Sequence, residues 1–274
     1  MFARYFFVVV FFLLVLFDVP QAFSQAYPGV GVRPPVDQSA KKENELGANL
    51  DFSSVELSRW GLNMDRSTKS YDGFAARAMS GDEKDRLFSI ASSLRNLYPQ
   101  TSYYQPFGQK VIEQMTEYAY IADVSDDPVE ANEALKEYRK TLLSHLANIK
   151  VVEFAITLSH ANRRYGDVMI LEDVRNALLK VIRGWNKRGD TAERAYRIVT
   201  YSDETYVLSL HNVTIERSEI FQVGDKFYNV HDVVFEDNGS HGRLYTDLTA
   251  PIYMYEKTRA FRARENEAMD LRKY

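Results

Sequence analysis

The spacing of apolar residues changes once along this chain, and that change fixes the fold class. From about Asp51 to Trp185 large apolar side chains recur every three or four residues; beyond Gly189 they recur every two. The first period belongs to helices with one buried face, the second to strands with one buried face. Helices segregated from strands along the sequence make an α+β protein, not an alternating α/β one. The expected architecture is an N-terminal helical bundle or degenerate helix-hairpin array, then a small antiparallel β-sheet, then a C-terminal helix. The expected boundaries are 51–190 for the helices, 191–250 for the sheet and 251–274 for the closing helix.

Individual helices carry end signals. Ser80-Gly81-Asp82-Glu83 has the spacing of a capping box, followed by Leu87, Ile90, Leu94 and Leu97 on one face and by Pro99 as a stop. Phe107, Val111, Met115, Tyr118 and Ala122 make a second stripe. Asp127-Pro128-Val129-Glu130 opens a third helix, with Asp127 as cap and Pro128 at its first position. Its seam is Leu135, Tyr138, Leu142, Leu146 and Ile149. A shorter helix is expected over Val151 to Arg164, and a last one over Val168 to Trp185. The Trp-Leu-Gly-Tyr spacing of tetratricopeptide repeats is absent.

In the second half, Tyr196 to Thr200, Tyr206 to Leu210, Val213 to Val223, Phe227 to Phe235 and Leu244 to Leu248 read as strands, the third with an irregular middle. Val223-Gly224-Asp225-Lys226 and Asp237-Asn238-Gly239 are turn signals. In TYSDETYVL, residues 200 to 208, Asp203 and Glu204 then form the turn between the first two strands.

The first 26 residues act as an address. Arg4 precedes an unbroken apolar run from Tyr5 to Phe17, and small residues at Ala22 and Ser24, or Ser24 and Ala26, frame cleavage after Ser24 or after Ala26. At 1.5 Å per residue the run is too short to cross about 30 Å of hydrocarbon, and it has the length of a signal-peptide core. Residues 1–24 are read as a signal peptide and 25–50, with Pro34-Pro35 and many charges, as an extended linker. Periplasmic or secreted location follows, with no stable transmembrane span after cleavage.

Composition narrows the chemistry. The chain has no cysteine, so thiolate zinc, iron–sulfur and cysteine-nucleophile chemistry are out. A net charge of −4 argues against nucleic acid as partner. Eighteen tyrosines point to sheet or to a binding surface. No Walker loop, Rossmann glycine pattern or Gly-x-Ser-x-Gly elbow occurs. Of the five histidines, His231 lies in VHDVVF, where alternation turns it and Asp232 to opposite faces. A hairpin centred on Gly239 would set His231 opposite Asp247. Asp203 and Glu204 on an exposed turn would lack the burial that tunes an acid/base pair. No residue is therefore assigned a catalytic, cofactor or metal role.

The run GDTAERAYRIVTYSDETYVLSL at 189–210, with FYNVHDVVFEDNGSHGRLYTDL after it and DRSTKSYDGF at 65–74 upstream, resembles a bacterial exported domain-of-unknown-function family. That family has an Ala-Tyr-x-Val/Ile strand followed by a Glu-Glu-Tyr-like segment. This chain differs in Asp203-Glu204-Thr205, where two acids would precede Tyr directly, and in Arg194. The resemblance implies an exported helical-plus-sheet protein and transfers no functional residue. The expected function is a non-enzymatic binding or scaffolding protein of the cell envelope, with a protein or envelope component as partner. The alternative is an envelope hydrolase built from scattered residues such as His231, Asp247 and Tyr206.

Overall fold

The computed structural model describes residues 64–184 and 188–253, so the expected signal peptide, the linker and nearly all of the closing helix lie outside the described residues. Among the described residues six α-helices come first: α1 Met64–Ser80, α2 Leu87–Leu97, α3 Gln109–Val124, α4 Pro128–Ser144, α5 Ile149–Ala161 and α6 Val168–Arg183. Then come β1 Tyr196–Arg197, α7 Tyr201–Leu210, β2 Val213–Val223, β3 Lys226–Phe235 and β4 His241–Asp247. The chain is α+β. No helix among the described residues is long and apolar enough to cross a membrane.

The helix starts follow local capping. Asp127 accepts a hydrogen bond from the Val129 amide ahead of Pro128, as its sequence predicts. Asp167 does the same for Met169 and Ile170 at the head of α6. Asn148 caps α5, which splits the predicted Leu135–Ile149 seam: α4 stops at Ser144 and Ile149 begins the next helix. Ser80 ends a helix instead of opening one. Its hydroxyl donates to the Arg77 carbonyl, and Gly81 follows at φ 74, the left-handed conformation that closes helices. Glu83, freed from a capping role, pairs with Arg77 through two hydrogen bonds of 2.7 and 2.6 Å.

Tyrosine builds the helical core more than the sheet. Tyr71, Tyr98, Tyr104, Tyr138 and Tyr165 are fully buried. Tyr98 meets Tyr104 edge-on at 5.2 Å between ring centroids. Their hydroxyls mostly find partners: Tyr71 accepts from the Ala147 amide, Tyr104 donates to the Val199 carbonyl and Tyr165 to the Ala119 carbonyl.

The sheet has the order β1-β4-β3-β2. β2, β3 and β4 form the expected antiparallel meander, and β1 adds in parallel to β4, so the sheet is mixed. The two-residue loop Gly224-Asp225 joins Val223 to its partner Lys226, with Gly224 at φ 62. The predicted strand over Tyr206 to Leu210 is wrong, and the strand at Tyr196 spans two residues. Residues 201–210 are helix α7, because the Asp203 carboxylate reaches back to the amides of Val199 and Thr200 and ties down the first turn. Asp203 and Val207, four apart, are the residues α7 buries completely.

Candidate functional site

Asp203 and Glu204 sit in the first turn of α7, where negative charge complements the free amides of a helix start. Neither is on an exposed turn. Asp203 is fully buried and meets Arg95 of α2 in a bidentate pair at 3.2 and 2.9 Å. Arg95, 3% exposed, also donates to the Arg197 carbonyl at 3.3 Å. Both Asp203 oxygens are engaged, and the pair clamps α2 to the segment that enters the sheet.

Glu204 points at the sheet. One carboxylate oxygen, Oε1, accepts from Thr246 Oγ1 at 2.6 Å and from Asn229 Nδ2 at 3.0 Å, and lies 3.1 Å from His231 Nε2. Asn229 and Thr246 are cross-strand partners on β3 and β4, so the register itself presents both to Glu204. Burial pushes the Glu204 carboxyl up, but the hydrogen bond and attraction from His231, with the bonds from Thr246 and Asn229, outweigh it and hold the group below its usual range. With Asn229 Nδ2 committed to Glu204, Asn229 Oδ1 is left buried without a partner.

The ionised carboxylate can only accept, so His231 Nε2 carries the proton that lies toward it. In the neutral ring Nδ1 is then an acceptor. The hydroxyl of Ser218, exposed on β2 and directly opposite His231 in the register, lies 2.7 Å from that nitrogen: it donates to the neutral ring and accepts from the imidazolium that attracts Glu204. With the ring neutral, the polarity runs Ser218 O–H to His231 Nδ1, and His231 Nε2–H to Glu204. The serine is open to solvent, whereas the histidine, 3% exposed, and the glutamate side chain, 16% exposed, are largely covered. A serine, an imidazole and a carboxylate in this order can move a proton off the hydroxyl.

The bulge in β2 makes that meeting. Ile215 pairs with Val233 but Arg217 pairs with Asp232, which leaves Glu216 without a partner on β3. Strict alternation from Val213 and Ile215 would put Arg217, Glu219 and Phe221 on the face toward α7. The extra residue puts Ser218 and Ile220 there instead.

The other singled-out residues are elsewhere. Asp247 is opposite Tyr228, three positions from His231, because the hairpin centres near Asp237 and Asn238, not on Gly239. His231 faces Leu244 across the ladder. Asp247 serves the turn after β4, accepting from the Thr249 amide at 3.0 Å. Tyr206 accepts from Arg183 at 3.4 Å near the surface. Asp232 pairs with Arg243 on the face opposite His231, as alternation predicts. Among the described residues no three His, Asp or Glu side chains are placed to hold a metal ion. The pairing of Glu204 with His231 needs helix α7, and Ser218 needs the bulge; neither showed in the period-two reading, whose one trace of them is the irregular middle of β2. Comparison with protein-family models, curated proteins and solved structures gives no match.

Proposed function

We propose that the protein is exported and binds a protein or other component of the cell envelope through the sheet face turned away from α7. One observation supports this most: Phe221, Tyr228 and Tyr245 gather on that face, with Phe221 stacked on Tyr228 at 5.5 Å and edge-on to Tyr245 at 6.2 Å. Phe221 and Tyr245 remain half-exposed. The ion pairs Arg243–Asp232 and Arg217–Glu219 flank them. An aromatic centre with a charged rim is the composition of a protein-binding patch. The signal-like residues 1–24 and the resemblance at 189–210 support the exported location.

The test is a pull-down of the tagged protein from its own envelope fraction, run beside the double variant Phe221→Ser, Tyr245→Ser. A retained partner that the double variant loses supports the reading. A partner held equally by both, or none held by either, refutes it.

A second reading, an envelope hydrolase, draws on a different observation, the Ser218–His231–Glu204 chain.

A further inference from the structure

Three features of that chain go beyond a hydrogen-bonded brace. The carboxylate accepts from Thr246 and Asn229 besides facing His231, which fixes its position and its ionised form before any reaction. The imidazole is walled in by β3, β4 and α7, so its tautomer is set by Glu204, and its one remaining nitrogen is directed at a hydroxyl. That hydroxyl is exposed, on the outer strand of the sheet order, where a reactant can approach from solvent. A brace requires the two buried groups; it does not require the exposed third.

We propose that Ser218 is a nucleophile, with His231 as its general base and Glu204 as the positioning carboxylate, and that it takes up the acyl group of a carboxylic ester presented along β2. This rests on the hydrolase reading and names its nucleophile and substrate class. Ser218 Oγ attacks the ester carbonyl carbon, and its proton passes to His231 Nδ1. The imidazolium so formed keeps its Nε2–H on Glu204. The ester C–O bond breaks, and the departing alkoxide takes the proton from Nδ1 and leaves as the alcohol. Water then attacks the acyl-Ser218 carbon, giving a proton to Nδ1. The Oγ–C bond breaks, the serine recovers the proton, and the carboxylic acid is released. The sum is ester plus water giving acid plus alcohol, with no other reactant. An exposed serine leaves the developing oxyanion to solvent, which suits an ester better than an amide with its poorer leaving group.

The test uses the purified full chain with two probes, a fluorophosphonate and p-nitrophenyl butyrate. The expected result is a single phosphonyl adduct mapped to Ser218 by peptide mass spectrometry, and p-nitrophenol release that falls about 100-fold or more in Ser218→Ala. His231→Gln, checked for fold by circular dichroism, should lose labelling as well. Release that persists in Ser218→Ala overturns the assignment of Ser218 while leaving a hydrolase. Labelled Ser218 without turnover supports the nucleophile and overturns the hydrolase. Neither label nor turnover overturns both.

Discussion

His145, in the link between α4 and α5, is 8% exposed and accepts a 2.7 Å hydrogen bond on Nδ1 from the Tyr98 hydroxyl. Tyr98 remains a donor because burial raises its pKa, and the Gln105 amide donates to the same oxygen. Burial lowers the His145 pKa to about 4. The folded protein thus refuses a proton that the unfolded chain, with an ordinary value near 6.5, accepts. Above pH 6.5 this group makes no difference; as pH falls from there toward 4 stability is lost, by roughly 2 kcal/mol at pH 5. His211, also lowered by burial, acts in the same direction. Proton NMR of the imidazole should follow His145 to a midpoint near 4, and urea midpoints should fall between pH 7 and pH 5 much less in His145→Gln. A His145 midpoint near 6.5 would sink the account. Among single residues, one of the two expected caps was legible: Asp127 beside Pro128 is a local signal and it holds, whereas Ser80, read as a cap, ends a helix. Asp203 and Glu204 were visible as a pair but not as helix residues, since two acids between Tyr-rich runs look the same in a turn and in a first helical turn.

At the scale of elements, the long helical stripes were legible because the spacing of three and four repeats over several turns; Ile90, Leu94, Met115, Leu142, Leu171 and Leu178 all reach the core. Helix α7 was not, because ten residues rich in Tyr, Val and Leu fit a strand by propensity, and only their contacts with Arg95 and the sheet decide otherwise. The β2 bulge was equally hidden, since one unmatched residue has no compositional mark. It gives a sharp prediction. Deleting Glu216, which β3 leaves unpaired, should preserve every other pairing of β2 and cost about 1 kcal/mol or less. Deleting Ile220, inside the ladder, moves Phe221 to the α7 face or forces the turn to slip, and should cost at least ~2 kcal/mol. Urea midpoints of the two deletions decide it; equal losses would mean that the bulge does not set the faces.

Across the whole molecule, the change of sequence period at Gly189 does not divide the protein into two independent cores. Residues of both halves share one buried cluster, from Tyr71 and Leu94 to Val199, Val207 and Phe227. Polar ties cross the same boundary: Tyr104 to the Val199 carbonyl at 2.7 Å, the Tyr201 amide to the Pro106 carbonyl at 3.1 Å, Ser202 to Asn148 at 3.3 Å. The strongest is Arg95 with Asp203, 108 residues apart in sequence and both out of solvent. A buried pair of this kind adds little over an apolar contact when intact, but removing one member strands the other charge. Arg95→Ala should therefore cost about 3–5 kcal/mol. The loss is not confined to α7, because Asp203 also holds the amides that start the helix carrying Glu204 to the sheet. Unfolding followed by far-ultraviolet circular dichroism and by tyrosine fluorescence should remain one coincident transition in the wild type, and Arg95→Ala should shift both signals together. A loss under ~1 kcal/mol, or a sheet that melts apart from the helices in the wild type, would show that the clamp does not join the two halves.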